Sequence, residues 1–235
     1  MKVLRTINPN SNMFQCAYKR LSTVCFDKDY TLHDIKTEYS RAQDLFVTNG
    51  QARNFFKQTL GLTNHVESQG DIGVSALLLN ELSKLAVACG FKKDAEKLLY
   101  RSIETHRQSS DSLHELARIN DLEMLYKKGY GKKKNFKALR MKKECCKKVL
   151  ENYEESKRNF LSFNKMPTSI ESVATQLAYT YRRIGELLGC NNAVDAIRAL
   201  NKSRMINLQL GRYRAADSAR YKIEDIREFI RSKYW

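Results

Sequence analysis

"GFKKDAEKLLYRSIE", residues 90–104, decides how this chain folds. A lone glycine, Gly90, is followed by Ala95, then Leu99, then the small Ser102. Steps of four and three residues put the last three on one face of a helix. Nothing on that face is a catalytic group, and small side chains there admit a second helix at close range. The partner comes just before it: "VSALLLNELSKLAVACG" repeats Leu78, Leu82, Leu85 and Cys89 at helical spacing and stops at Gly90. Asn80, Glu81, Ser83 and Lys84 interrupt it, so it reads as a soluble helix, not a membrane span. The unit is a helical hairpin turned by a glycine.

The same pattern extends both ways. Residues 31–47 read as a helix with Leu32, Ile35, Tyr39, Ala42 and Phe46 on one face and Thr31 as cap with Asp34. A short helix carries Phe55, Phe56 and Leu60, and "GLTNHVESQGDIG" (61–73) reads as a linker without periodicity. Beyond "HRQSSDS" come a helix with Leu116, Ile119, Leu122 and Tyr126, the loop "GYGKKKN", and a helix with Leu139, Cys146 and Val149. After Pro167, further helices carry Val173 to Leu188, Ala193 to Ser203, and Ala216 to Ile230, the last turned at Gly211. Only two prolines occur in 235 residues, which favours long helices. A single hairpin cannot bury both apolar faces, whereas stacked hairpins do. The expected organisation is a basic N-terminal extension (1–28, a candidate targeting segment), N-terminal helices and linker (29–73) and a helical repeat domain (74–235).

Leu79, Leu82, Ser83, Ala86, Gly90, Ala95, Leu99 and Ser102 fall at the steps of a tetratricopeptide repeat, which this unit resembles. Ser83 stands where that family most often has glycine, and Ser102 where it has alanine. The family's tryptophan and closing proline are missing. Residues 177–226 repeat the theme, with Ala196, Leu200 and Ser203 in the alanine–large–small series and Gly211, Tyr213 and Ala216 opening another unit. That stretch is similar to the repeats of the soluble attachment proteins that help disassemble membrane-fusion complexes, although this chain is far more basic. The 113–153 unit departs most: "GKKKN" lengthens the turn, and Lys142 occupies a usually large position. The resemblance implies an all-α, right-handed superhelix of antiparallel helix pairs, an α-solenoid, that binds rather than catalyses. It also makes Asn80 and Lys84, one turn apart, candidates for holding a partner's carboxylate. Leu82, Ser83, Gly90, Ala95, Leu99, Ser102, Ala196, Leu200, Gly211 and Ala216 are the expected packing positions.

The net charge of +16 calls for an anionic partner: nucleic acid, an acidic protein face or anionic lipid. The densest cations are Lys127, Lys128, Lys132, Lys133, Lys134, Lys137, Arg140, Lys142, Lys143, Lys147 and Lys148, against Glu144 alone. With Tyr126, Tyr130 and Phe136 interleaved, they are candidates for contact with RNA phosphates and bases. A second basic–aromatic set, Tyr179, Tyr181, Arg182, Arg183, Arg212, Tyr213 and Arg214, is expected to pack between repeats with its arginines at the rim.

Six cysteines without a CxxC pair read as reduced and mostly buried, which points to an intracellular setting. No metal site or cofactor is expected, because the four histidines and six cysteines lack ligand spacing. The first 26 residues carry Lys2, Arg5, Lys19 and Arg20 and no acid, the composition of a mitochondrial targeting segment; a cytoplasmic setting is the alternative. "VCFDKDYTL" (24–32) resembles the DxDxT motif of haloacid-dehalogenase phosphatases. That resemblance makes Asp27 a nucleophile and Asp29 a general acid/base with magnesium, provided an apolar strand precedes them. The sequence as a whole points to a non-catalytic interaction scaffold, a subunit of a larger, mitochondrial assembly. Contact with RNA or a ribosome is the second reading and the phosphatase a remote third.

Overall fold

In the computed structural model, residues 9–127, 131–159 and 168–234 are described, and every regular element among them is a helix. The chain divides into two compact units, 1–109 and 110–235. The first contains α1 (Pro9–Phe26), α2 (Leu32–Thr48), α3 (Ala52–Ser68), α4 (Ile72–Ala88) and α5 (Lys92–Gln108). The second contains α6 (Ser112–Lys127), α7 (Gly131–Asn159), α8 (Thr168–Leu188), a 3₁₀ turn (Gly189–Asn192), α9 (Ala193–Gln209) and α10 (Tyr213–Tyr234).

The α2 to α6 helices start at 32, 52, 72, 92 and 112, a cadence of twenty residues, and the first four are each 17 residues long. One turn design recurs. After α2, α4 and α9 a glycine sits in the left-handed region, Gly50, Gly90 and Gly211 at φ +70°, +74° and +68°. The N–H of the next residue donates back to a carbonyl five residues earlier: Gln51 to Phe46, Phe91 to Ala86 and Arg212 to Asn207, each at 2.7 Å. This closes the last orphan carbonyls of the helix and reverses the chain. The starts of α2, α4 and α9 are capped by side chains, whereas those of α3 and α5 have no side-chain cap. Thr31 and Asp34 form the expected reciprocal capping box, and Asp71 and Asn192 accept from the N–H groups of Val74 and Asp195.

The linker reading of 61–73 is corrected. Residues 61–68 are the second half of α3, whose Leu62, Thr63 and Val66 are buried. Its polar residues fall on the outer face, which masks the period. Residues 9–26 likewise form a helix that packs on α2, with Leu21, Val24 and Cys25 buried and Phe14 against Phe46 at 4.8 Å. Arg20 pairs with Glu38 of α2 at 3.0 Å. This helix therefore belongs to the core of the first unit. Phe46, Phe55 and Tyr39 continue that core as tilted ring pairs 5.0 and 5.3 Å apart.

In the second unit Leu116, Ile119, Leu122 and Tyr126 of α6 and Ala138, Leu139, Cys146 and Val149 of α7 are buried. Asn120 of α6 donates to Gln176 of α8 at 2.8 Å. Ala196 and Leu200 of α9 join Ile223 and Ile226 of α10 in one cluster. α8 approaches α9 closely at Gly185. A Cβ at Gly185 would lie 2.7 Å from Leu200 Cγ and 3.0 Å from the Ala196 carbonyl oxygen.

Two stability outcomes follow. Gly185→Ala is expected to destabilise by about 1–3 kcal/mol, despite alanine's better helix propensity, because a backbone oxygen must move. Urea unfolding of the two proteins measures it. Ser110 occupies the turn position where its counterparts are glycines and is held at φ 56°. Ser110→Gly is expected to raise stability by about 0.5–1 kcal/mol by removing the left-handed penalty, read as a higher melting temperature.

Candidate functional site

The helical assignment first removes one chemistry. The apolar lead that a DxDxT motif needs as a strand is the last turn of α1, ending at Phe26. Asp27 Oδ1 accepts from the Asp29 N–H at 3.0 Å, and the segment is a turn feeding the Thr31 cap. No strand exists among the described residues to align these carboxylates, so the phosphatase reading of Asp27 and Asp29 fails. Among the described residues no cluster of His, Cys, Asp or Glu converges to hold a metal, and no helix is long and apolar enough to cross a membrane. Cys25, Cys145 and Cys146 are buried, Cys89 is half-buried, and Cys16 and Cys190 are exposed, all as free thiols. Burial, with Asp71 adding to it, pushes the Cys25 thiol up to about 12. Burial also pushes Cys146 up to about 12 against the opposing charge of Lys142. Neither is a thiolate nucleophile at neutral pH.

Asn80 and Lys84 lie together on α4 but are engaged locally: Asn80 Nδ2 and Lys84 Nζ both donate to Glu81 Oε1, at 3.1 and 2.8 Å. Of the expected packing positions, Gly90 and Gly211 lie exposed at turns, and the other eight, Leu82, Ser83, Ala95, Leu99, Ser102, Ala196, Leu200 and Ala216, are buried.

The second unit holds 27 of the 42 lysines and arginines and 15 of the 26 acidic residues, and so carries +12 of the chain's +16. Its lysine-rich segment is not the loop that "GYGKKKN" implies, since α7 begins at Gly131. Lys128 and Tyr130 lie outside the described residues. Helical geometry splits the other cations into two sets. Asn135, Ala138, Leu139, Lys142, Cys145, Cys146 and Val149 form the buried stripe of α7. Lys142 is therefore not a surface contact, which corrects the sequence expectation. It is 5% exposed, and its Nζ reaches Glu123 Oε2 on α6 at 3.0 Å. Lys127 takes the other carboxylate oxygen at 2.8 Å and donates to the Tyr179 hydroxyl of α8 at 3.0 Å. Both ammonium groups lie over the Tyr179 ring, at 5.2 and 5.3 Å from its centre. Burial would raise the Glu123 pKa, but hydrogen bonds and charge from Lys127 and Lys142 outweigh it and hold the carboxyl below the usual glutamate range. The opposite, exposed row of α7 is Lys133, Lys137, Arg140, Glu144 and Lys148, with Lys132 beside it. Lys134 and Arg140 lie over Tyr126 and Phe136, and Lys143 pairs with Glu144 at 2.7 Å.

The second basic–aromatic set opens a groove of about 680 Å³ between α8, α9 and the start of α10. Thr175, Tyr179, Arg182, Ser203, Asn207 and Tyr213 line it, with Arg212 and Arg214 at its edge. Arg182 and Arg183 are tied to Glu186, whose pKa burial would raise but these two guanidinium groups lower. Tyr181 is buried beneath Lys202, as packing between repeats requires. Tyr213 departs from that expectation: it is 68% exposed and Tyr179 is 40% exposed. The missed signal was their position. Tyr213 follows the Gly211 turn, where the chain leaves the packed stripe.

No family model matches the sequence, and no curated protein does. Among solved structures, the chain is similar to BtubC (BKLC) from P. vanneervenii at 11% identity, over 95% of this chain and 92% of that one, with a TM-score of 0.45. It is also similar to a putative kinesin light chain of nearly identical TPR-like repeats from Podosopora anserina (13% identity, 84% and 96% covered, TM-score 0.40). A third is the de novo designed helical repeat protein DHR64 (15%, 93% and 95%, TM-score 0.30). The fold of this chain is all-α and tetratricopeptide-like on its own helices: hairpins turned by glycine, with small residues at the close approaches.

Glu123→Gln leaves Lys142 buried without its counter-ion and is expected to cost about 3–5 kcal/mol at neutral pH. Because the Glu123 pKa is depressed in the fold, the stabilisation is present above the ordinary glutamate pKa and is lost as pH falls through the depressed value. Urea unfolding of wild type and variant is therefore expected to converge in acid.

Proposed function

We propose that this chain is a non-catalytic protein-interaction scaffold, a structural subunit of a larger intracellular assembly, that holds a partner segment in the groove of α8, α9 and α10. The observation that carries this reading is the pair Tyr179 and Tyr213, exposed at the groove beside Arg182, Arg212 and Arg214. Tyrosine and arginine are the residues that most often anchor interfaces, since each combines a broad flat surface with directional donors. Arg212 and Arg214 make no ion pair with another described residue, so the groove favours a segment that brings its own carboxylates. A mitochondrial setting rests on the basic, acid-free composition of residues 1–26 alone.

The test is a peptide-display library panned against the full chain, with the selected peptide measured by calorimetry. Tyr213→Ala is expected to weaken it at least about ten-fold, whereas Tyr221→Ala, an exposed tyrosine further along α10, leaves it unchanged. Failure to select any peptide, or equal affinity for both variants, overturns the assignment.

A further inference from the structure

The exposed row of α7 is a different surface from the groove. Lys133, Lys137, Arg140, Glu144 and Lys148 follow one another at steps of four, three, four and four residues, so each stands one turn above the last. Fifteen residues of helix make the row about 22 Å long. Lys132 widens its start, and its one carboxylate, Glu144, is taken by Lys143. Glu123, an acid of the interior, pairs with Lys127 and Lys142 and is no part of this surface. No large apolar side chain is exposed between 131 and 154.

We propose that this row docks a single strand of RNA through its phosphates. A stable protein interface needs an apolar centre that is freed of water, and an interfacial helix needs an apolar face to enter lipid. The row offers neither. What it offers is Lys133, Lys137 and Arg140 at a spacing of one helical turn, with Lys132 beside them and Lys148 two turns beyond Arg140, past the Lys143–Glu144 pair, and such cations replace counter-ions along a phosphate chain. It is one side chain wide. A duplex presents two phosphate rows across each groove, whereas a single strand presents one, and single-stranded stretches are the form in which RNA is ordinarily recognised. The binding is sequence-tolerant, since phosphate contacts carry no sequence information.

The experiment measures binding of a labelled oligouridylate to the full chain by fluorescence anisotropy across a salt series. The variant joins Lys132→Gln, Lys133→Gln, Arg140→Gln and Lys148→Gln. The control removes the same charge from the first unit through Lys57→Gln, Lys92→Gln, Lys93→Gln and Lys97→Gln, all exposed positions. Circular dichroism establishes that both fold. The wild type and control are expected to bind alike. The α7 variant is expected to bind at least about ten-fold more weakly, with a salt slope shallower by about 3, from about 0.7 per lost phosphate contact on a single strand. The proposal is overturned if the wild type does not bind at low salt or if the two variants lose affinity equally. It is also overturned if the matching duplex, polyglutamate or equimolar phosphatidylserine–phosphatidylcholine vesicles compete as well as the single strand. Loss of peptide binding in the groove leaves this result untouched, so the two assignments fail separately.

Discussion

The close approach of paired helices governs this molecule. Two helices pack at the distance their contact side chains allow, and the chain keeps those side chains small where helices must meet: Ser83 and Ala95 in the first unit, Gly185 and Ala196 in the second. At Gly185 a Cβ would stand 2.7 Å from Leu200 Cγ and 3.0 Å from a backbone oxygen of α9. A hairpin so closed buries one stripe of each helix and leaves a second stripe unburied, and that residue of apolar surface drives the next helix onto the stack. Unit after unit follows from one steric requirement. The turns serve it: after α2, α4 and α9 a left-handed glycine and a 2.7 Å bond back over five residues end the helix and reverse the chain.

Much of this was legible in the residues. The hairpin of 74–104, the capping box at Thr31 and Asp34, and the late helices all have strong stripes or strong caps, and those signals are local. The 61–68 segment was not legible, because half of α3 buries only Leu62, Thr63 and Val66 while its other side chains are polar or absent. Its helicity comes from packing against α4, and a window of sequence does not contain that term. The twenty-residue cadence was present in Gly50, Gly70 and Gly90, yet Ser110 breaks it in residue type while preserving it in backbone angle. Only the coordinates reveal that a serine performs the glycine's turn.

Lys142 shows a different limit. Its spacing from Leu139 and Cys146 places it on the apolar stripe, whereas its composition places it with ten other cations. The two readings conflict, and the stripe prevails because α6 supplies Glu123 at the right height. A lysine on a buried face is tolerable only where such a partner waits. The same geometry made the basic segment a helix from Gly131 on, where glycine and lysines in a row read as a loop.

That conflict also explains why the charge of the second unit is so one-sided at its surface. A helix offers each residue one direction, and α7 has cations in most of them. Those directed inward need carboxylates, so Glu123 is held ionised between Lys127 and Lys142, its outer oxygens already occupied. Those directed outward are solvated and held by local partners, Lys134 over Tyr126, Arg140 over Phe136 and Lys143 on Glu144. The interior therefore consumes the acid that would otherwise moderate the exterior, and the exterior is left with a row of ammonium and guanidinium groups at helical pitch. Self-repulsion along that row destabilises the isolated unit slightly. Packing and charge are in this sense one problem: the rule that decides which face of α7 is buried also decides which lysines remain at the surface.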